Sequence, residues 1–368
     1  MNILFVSRAI SPPWDEVSKN LIYGIVSRIA NHSFYVMGKR KTNIPIDIKN
    51  KNITYIPVYT ENNMNFLQKV YLIKELLSSK DDIDLSHFMF SPSFFCSYLL
   101  KKLVTSKYSV QNIPFILKQN FGKTYLNKIL FGNILVVNSE YTKERIKKIT
   151  KKNIRRINIG IDTDKFKPMK KSARLLKELE ISSQKIVLHC GYFSQFAVLE
   201  NILHVIPQVI KKVNTVFMFA IRLRERNDYA RLKIFKKLIK EYGLEKHLRI
   251  LGNVSDMAEL INLCDISIFP VQEMLFKVDT PMVLLEALSM EKPIIITDIP
   301  PLNEIMVEDI GLKILPGSKD ALSDAIIELL LNNERRRSMG ILGRKAIKEF
   351  FNVEKMVLNY QSLYSEFR

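Results

Sequence analysis

Short apolar runs and helix-like segments alternate in two consecutive series along this chain of 368 residues. The first series has apolar runs at 2–7, 33–37, 85–89, 113–117 and 134–138, and helix-like segments at 16–29, 63–77 and 140–150. The second has runs at 185–190, 215–221, 248–251, 266–270 and 293–297, and helix-like segments near 198–212, 228–242, 255–263 and 281–290. Apolar runs of this length are typical of buried parallel strands. The alternation therefore predicts an α/β protein with two doubly wound parallel sheets.

The segment 158–168 separates the two series and reads NIGIDTDKFKP. It contains a glycine suited to an unusual turn, aspartates that can turn or cap the backbone, and a proline that blocks a helix. A length of 368 residues also suits two domains of ordinary size better than one. We predict an N-terminal domain over 1–165 and a C-terminal domain over 166–351.

Composition indicates a globular protein, with 47% hydrophobic and 25% charged residues. No apolar run approaches the roughly 18 residues of a membrane span, and the N-terminus lacks a signal-peptide pattern, so we expect a cytoplasmic protein. Cys96, Cys190 and Cys264 are isolated and are expected to be reduced core residues. The five histidines show no metal-ligand spacing, so no metal is expected.

Positive charge is concentrated in the first half of the chain. Residues 1–168 contain 27 Lys and Arg against 12 Asp and Glu, and the rest contains 29 against 25. In the densest run, 143–156, the isoleucine spacing leaves one apolar side under a cationic face. A compositional bias would explain this, and so would an anionic partner such as a membrane surface or a lipid-linked phosphate. Aromatic residues do not interleave with the run, so no nucleic-acid partner is expected.

The stretch 278–304 combines a loop, a helix, a buried strand and a turn. Pro281 suits a first helical position, and the following turns are apolar except for Glu286. A carboxylate at such a place is either solvated or an acceptor for paired ribose hydroxyls.

At these residues the chain resembles the retaining glycosyltransferases of family four, which have the GT-B fold. Leu284–Ser289 (LLEALS), Lys292–Ile295 (KPII) and Thr297–Asp298 match that family's "LLEAMA", "GKPVI" and "TD" patterns, and 158–168 is similar to its "NGVDxxxFxP". The resemblance implies two Rossmann-like domains with an interdomain cleft. The N-terminal domain would face the acceptor and the C-terminal domain the nucleotide sugar. The family's last helix packs back on the N-terminal domain, which is expected here of 352–368.

The resemblance also implies a donor site. Glu286 would hold the ribose and Val254 would lie near the base. Backbone amides at the helix start would face the diphosphate, and the residues there are Thr280, Pro281, Met282 and Val283.

The chain departs from the family pattern at three such positions. Val278 stands where the family has its first glutamate, and Asp279 is the nearest replacement. Tyr192 and Ala197 stand where two basic residues clamp the diphosphate. Either Arg222, at the end of a predicted strand, replaces that clamp, or the donor site is lost.

The N-terminal half contributes three further candidates. Lys19, in a loop-to-helix segment similar to the family's "PPWDEGxKN", could face phosphate or stand in solvent. Trp14 could stack on an acceptor sugar or pack internally. His87 matches the family's "DIVHxH" histidine and could face the sugar, or be a satisfied core residue.

We therefore expect a metal-independent retaining glycosyltransferase with no cofactor beyond its nucleotide-diphosphate sugar donor. The acceptor would be a glycan, a lipid-linked molecule or a small molecule, and the protein would be cytoplasmic or at the inner face of a membrane. A non-catalytic GT-B-fold binding or scaffold protein is the alternative. A nucleic-acid binder has only the net charge in its favour.

Overall fold

The computed structural model describes residues 1–11, 14, 16–39, 52–58, 74, 82–89, 106–115, 122–223, 226–274, 277–307 and 309–367. The chain divides into two compact units. The first comprises Met1–Gly160, Leu275–Asp279 and Val353–Arg368, and the second comprises Ile161–Met274 and Thr280–Asn352. Each unit contains one parallel β-sheet.

The strands are β1 Asn2–Val6, β2 Ser33–Lys39, β3 Ile53–Val58, β4 Leu85–Phe88, β5 Tyr108–Ile113, β6 Ile134–Val137, β7 Asn153–Arg156, β8 Lys185–Tyr192, β9 Thr215–Arg222, β10 Leu248–Leu251, β11 Ile266–Phe269, β12 Ile294–Thr297 and β13 Gly311–Ile314. The helices are α1 Val17–Val26, α2 Lys123–Ile129, α3 Glu140–Lys147, α4 Ala173–Glu178, α5 Phe196–Ile210, α6 Arg226–Glu241, α7 Met257–Leu263, α8 Met282–Ser289, α9 Lys319–Leu331, α10 Asn333–Phe350 and α11 Val353–Ser365.

The sheet of the first unit has the order β3-β2-β1-β4-β5-β6-β7, with every pair parallel. Helix α11 belongs to this unit and packs on α1, where Gly24 lies against the side chains of Val353 and Met356. A Cβ atom at position 24 would stand 3.2 Å from Val353, so the glycine permits this close approach.

The sheet of the second unit has the order β10-β9-β8-β11-β12-β13, again all parallel. Its central strands are completely buried apolar runs, as expected of a sheet covered on both faces. The chain order reverses between β8 and β11. Ligands of doubly wound sheets collect at the carboxyl ends of the strands at such a reversal.

Two predicted elements differ in the structure. The strand predicted at 113–117 corresponds to β5, which lies earlier in the chain, at Tyr108–Ile113. The basic run 143–156 is not one amphipathic helix: α3 ends at Lys147 and the edge strand β7 begins at Asn153. Its isoleucines do face inward, with Ile146 buried and Ile149 and Ile154 packed on the same core cluster. The helix predicted at 63–77 lies outside the described residues, apart from residue 74.

Candidate functional site

Strands β8 and β9 end side by side at the carboxyl edge of the second sheet. The register places Tyr192, the last residue of β8, opposite Arg222, the last residue of β9. The guanidinium Cζ of Arg222 lies 5.5 Å from the centroid of the Tyr192 ring, and Nη1 donates to the tyrosine hydroxyl at 3.3 Å. A cation held on an aromatic face in this way keeps its charge while its orientation is fixed.

Glu286 lies on α8 and its side chain is partly buried. Burial raises the pKa of this carboxyl to about 7, while the positive charges of Lys165 and Arg222 act to lower it. One carboxylate and two cations from three separate segments therefore influence one another in the second unit. The carboxylate titrates near neutral pH, a property found often at functional sites.

Helix α8 is fixed by its apolar residues and by contacts at its C-terminal end. Leu284, Leu285 and Leu288 are fully buried. The Ser289 hydroxyl donates to the Phe166 carbonyl at 2.6 Å, and Arg344 donates to the same carbonyl at 3.1 Å. These contacts tie the segment before α4 to α8, which explains how Lys165 comes near Glu286.

Lys165 was not among the residues singled out from the sequence. It stands in the turn after Asp162, whose carboxylate accepts from the Lys165 backbone N–H at 3.0 Å. Its ammonium lies 5.4 Å from the Phe166 ring centroid. The sequence signal was present in the "DTDKF" turn, where the resemblance suggested only a domain boundary.

The remaining donor-side candidates of the second unit lie at loop and helix starts. Thr280 is buried, and Pro281, Met282 and Val283 are half-buried around the beginning of α8. Pro281 is the N-cap residue, one position earlier than predicted. Val254 is half-buried in the loop after β10. The first N–H groups of an α-helix have no intrahelical partner, so the start of α8 can face an anion.

His87 is fully buried in the first unit and makes two side-chain hydrogen bonds. Its Nδ1 is 2.7 Å from the Tyr364 hydroxyl, and its Nε2 is 2.9 Å from Asn112 Oδ1. Asn112 in turn donates to the Tyr360 hydroxyl at 2.8 Å. Burial lowers the pKa of His87 to about 4, so the ring is neutral. Both ring nitrogens thus have partners within the first unit, Tyr364 on α11 and Asn112 on β5, as in a satisfied core residue. The sugar contact of His87 stays a prediction.

Asp279 is likewise fully buried in the first unit. It accepts from the Ser139 hydroxyl at 2.5 Å, and its N–H donates to the Pro114 carbonyl at 3.0 Å. Ser139 is also the N-cap of α3 and accepts from the Thr142 N–H. A carboxylate is favourable near a helix N-terminus. The structure therefore gives Asp279 a contact at the start of α3, and the sugar contact expected of it stays a prediction.

The loop after β1 is held by the two candidates near α1. Lys19 donates to the Ser11 carbonyl at 3.3 Å, so its ammonium supports the loop. The Trp14 ring packs on Tyr23 at a centroid distance of 5.0 Å, which is an internal contact.

Both described cysteines are free thiols. Burial is the main cause that raises the pKa of Cys190, and burial raises the pKa of Cys264 to about 12, so both are protonated at neutral pH. Cys96 lies outside the described residues. Within the described ranges, no group of three or more His, Cys, Asp or Glu side chains could hold a metal ion. None of the helices in that part of the chain is long and apolar enough to cross a membrane.

Comparison with known proteins finds a family match within the second unit. Residues 172–346 match the model of the glycosyl transferases group 1. A curated relative, N-acetyl-alpha-D-glucosaminyl L-malate synthase of Bacillus anthracis, is 26% identical over 193 residues, which is 52% of this chain and 48% of that protein. The chain thus spans about half the length of this relative. The match over 172–346 confirms the resemblance to the group 1 glycosyltransferases that the sequence indicated.

Solved structures share the fold over the whole chain. A glycosyltransferase from Rickettsia africae has a TM-score of 0.78 at 20% identity, covering 100% of this chain and 98% of its own. HepE of Anabaena, in complex with UDP and glucose, has a TM-score of 0.81 at 15% identity, covering 99% of each chain. The predicted fold class, GT-B with two parallel α/β sheets, is confirmed.

Proposed function

We propose that this chain is a retaining glycosyltransferase that takes its sugar from a nucleotide-diphosphate donor. Two observations carry the proposal: Arg222 ends β9 against Tyr192 at the carboxyl edge of the second sheet, and the charges of Lys165 and Arg222 act to lower the pKa of Glu286. A carboxylate acceptor beside two cations suits a ligand that has neighbouring hydroxyls and a diphosphate. A nucleoside diphosphate has both.

Each member of the group has a separate part in binding. The Glu286 carboxylate accepts hydrogen bonds from the two ribose hydroxyls. Arg222 donates in bidentate fashion to phosphate oxygens, with its orientation set by Tyr192. The flexible Lys165 side chain adds a positive charge that can approach the same ligand. Backbone amides from Thr280 to Val283, at the start of α8, contribute further donors to the diphosphate, and Val254 lies near the base.

Catalysis in this proposal is mainly electrostatic. The bond between the anomeric carbon and the phosphate oxygen breaks, the new bond forms to the oxygen of an acceptor hydroxyl, and the proton of that hydroxyl passes to the departing diphosphate. Negative charge grows on the departing diphosphate while positive charge grows on the sugar ring. Cations already aimed at the diphosphate stabilise the first change without reorganising. Positioning the donor and the acceptor next to each other supplies the rest of the rate enhancement. No metal or cofactor is assigned to the step.

The names of the similar structures favour a uridine donor, since HepE was solved with UDP and with UDP-glucose. We therefore propose a UDP-sugar as the donor. The acceptor belongs to the same proposal as a glycan, a lipid-linked molecule or a small molecule.

A thermal-shift screen of nucleotides and nucleotide sugars tests the proposal. A ligand at 100 times its Kd stabilises the folded state by about 2.7 kcal/mol, which is an easily measured shift. We expect UDP and at least one UDP-sugar to raise the melting temperature. If no nucleotide does so, the chain is not a nucleotide-sugar transferase.

A non-catalytic GT-B-fold binding protein is the second candidate. It is favoured by Tyr192, Ala197 and Val278, which cannot supply the two cations and the acid of the family pattern. Under this alternative a nucleotide would bind, but no sugar would be transferred or released from the donor.

We also propose that the first unit contacts anionic membranes from the cytoplasmic side. Several cations of the basic run pair with acids, such as Lys147 with Glu144 and Arg155 with Glu366. Lys148 and Lys151 are exposed, and no carboxylate among the described residues lies within ion-pair distance of either. The ammonium groups of these two lysines are therefore available to a lipid headgroup.

A further inference from the structure

Strand β8 contains a second fully buried histidine, His189. Its Nδ1 lies 3.1 Å from the carbonyl oxygen of Ile268 on β11. A carbonyl only accepts, so Nδ1 carries the proton and Nε2 presents a lone pair. Burial lowers the pKa of His189 to about 4, so Nε2 remains an acceptor at neutral pH. Nε2 is buried without a hydrogen-bond partner in the described part of the chain.

A second buried acceptor without a partner lies close to Gly191. It is Oε1 of Gln195, in the short turn between β8 and α5. A Cβ atom placed on Gly191 would be 3.0 Å from His189 Nε2 and 3.7 Å from Gln195 Oε1. Both acceptors therefore border the space that any other residue at 191 would fill. Buried polar atoms are normally satisfied, so two orphans around one glycine indicate a missing donor group.

The chemistry of the two acceptors limits what can enter. Two neutral lone pairs repel an anion and gain nothing from an apolar group. Each acceptor needs one donated hydrogen, and two neighbouring hydroxyls, as on a sugar ring, supply two. The position also fits a donor substrate, because Gly191 directly precedes Tyr192, the residue that orients Arg222.

We propose that the region beside Gly191 is a hydroxyl-binding subsite of the nucleotide-sugar site, in which His189 and Gln195 each accept a hydrogen bond from one of two neighbouring hydroxyls of the donor. The inference rests on the proposed function, since it assumes that a nucleotide sugar binds to this unit. Both ribose hydroxyls donate to Glu286 in that proposal, so the hydroxyls of the subsite belong to the transferred sugar.

Filling the space with a methyl group is the direct test. Gly191→Ala places its Cβ within 4 Å of both acceptors, and Gly122→Ala is the matched control because nothing lies within 4 Å of a Cβ there. Affinities for UDP and UDP-glucose are measured by calorimetry. The loss of a hydrogen-bonded hydroxyl corresponds to about a tenfold weaker affinity.

Gly191→Ala is expected to weaken UDP-glucose and to spare UDP, which lacks the transferred sugar. An equal loss for both ligands would show that the change disturbs the diphosphate contacts beside Tyr192, and it would overturn the subsite. Unchanged affinity for both ligands in Gly191→Ala overturns the subsite. If the wild-type chain binds neither ligand, the proposed function fails, and the subsite fails with it.

A second variant separates the subsite from a closed internal pair. Were the Gln195 amide to turn its NH2 onto His189 Nε2, the two side chains would satisfy each other without a ligand. Gln195→Leu would then lower the melting temperature of the free protein and leave nucleotide affinity unchanged. The subsite predicts the reverse, with an unchanged or higher melting temperature and weaker binding of UDP-glucose.

Discussion

The Arg222 guanidinium lies on the face of the Tyr192 ring, with Cζ 5.5 Å from the ring centroid and Nη1 3.3 Å from the hydroxyl oxygen. Tyr192 occupies the position at which the family pattern has a basic residue. In the proposed donor site the neighbouring strand supplies the cation instead, through Arg222, and Tyr192 sets its orientation. Under this proposal a different pair of residues provides the positive charge at this edge of the sheet.

Arg222→Lys is expected to weaken binding of nucleoside diphosphates about tenfold or more while leaving nucleosides unaffected. Lysine keeps the charge but cannot donate in bidentate fashion or stack flat on Tyr192. Calorimetry with uridine and with UDP distinguishes these effects. Arg174→Lys, in an exposed ion pair with Glu178, is the control. Equal losses for uridine and UDP would show that Arg222 supports the fold and not the phosphate.

Affinity for UDP-glucose is expected to rise as pH increases through the pKa of Glu286, which is about 7. Ribose hydroxyls donate to the ionised carboxylate, and the ionised fraction increases about tenfold between about pH 6 and about pH 8. UDP-glucose is the suitable probe because its diphosphate has no proton to lose in this range. Titrations of the wild type and of Glu286→Gln test the idea. A pH dependence that survives in Glu286→Gln would contradict it.

His87→Leu is expected to destabilise the first unit by about 2–4 kcal/mol, because Asn112 and Tyr364 lose a buried partner. Trp14 is the single tryptophan and lies in this unit, so its fluorescence follows unfolding in urea. The exposed His204→Leu serves as the control. A loss below about 0.5 kcal/mol, typical of a surface substitution, would remove the structural role given to His87.

The same histidine predicts the direction of a pH effect on stability. The pKa of His87 is about 4 in the folded state, below its ordinary value of about 6.5, so the unfolded chain takes up the proton more readily. Stability is then complete above about pH 6.5 and is lost as pH falls towards about 4. The slope of the urea midpoint against pH should be shallower in His87→Leu than in the wild type. Identical slopes would show that other groups dominate.

Replacing Lys148 and Lys151 together by Glu is expected to weaken binding to anionic vesicles about tenfold or more, since each basic residue near such a surface contributes about 1 kcal/mol. Lys211→Glu with Lys212→Glu makes the same charge change in the second unit and is the control. Co-sedimentation with acidic and with neutral vesicles measures the effect. Equal pelleting on both, or none on either, would favour a compositional bias as the source of the basic run.

The sequence predicted the central apolar strands but misplaced β5, in which polar residues are buried, and did not predict β3, β7 and β13. Strand β5 reads YSVQNI, and its Gln111 and Asn112 are buried because each finds partners. Gln111 donates to the Ile129 carbonyl and accepts from the Phe131 N–H, both at 2.9 Å. These partners lie outside β5, so the sequence of β5 alone does not show that it is a buried strand.

The candidate site was predictable only in part, for a related reason. Glu286 and Arg222 were singled out from motif and strand-end position, and the structure brings their charges into mutual influence. His87 and Asp279 were placed correctly at strand ends or loops, but their partners lie far away in the chain. Tyr364 is 277 residues from His87, and Ser139 is 140 residues from Asp279. Local pattern does not reveal contacts at such separations.

A structure of the protein crystallised with UDP tests the central claim most directly. The account predicts the ribose hydroxyls within hydrogen-bonding distance of the Glu286 carboxylate, and the diphosphate within reach of the Arg222 guanidinium, at the carboxyl edge of the second sheet. A nucleotide bound elsewhere, or at this edge with Glu286 and Arg222 turned away from it, would contradict the proposed donor site.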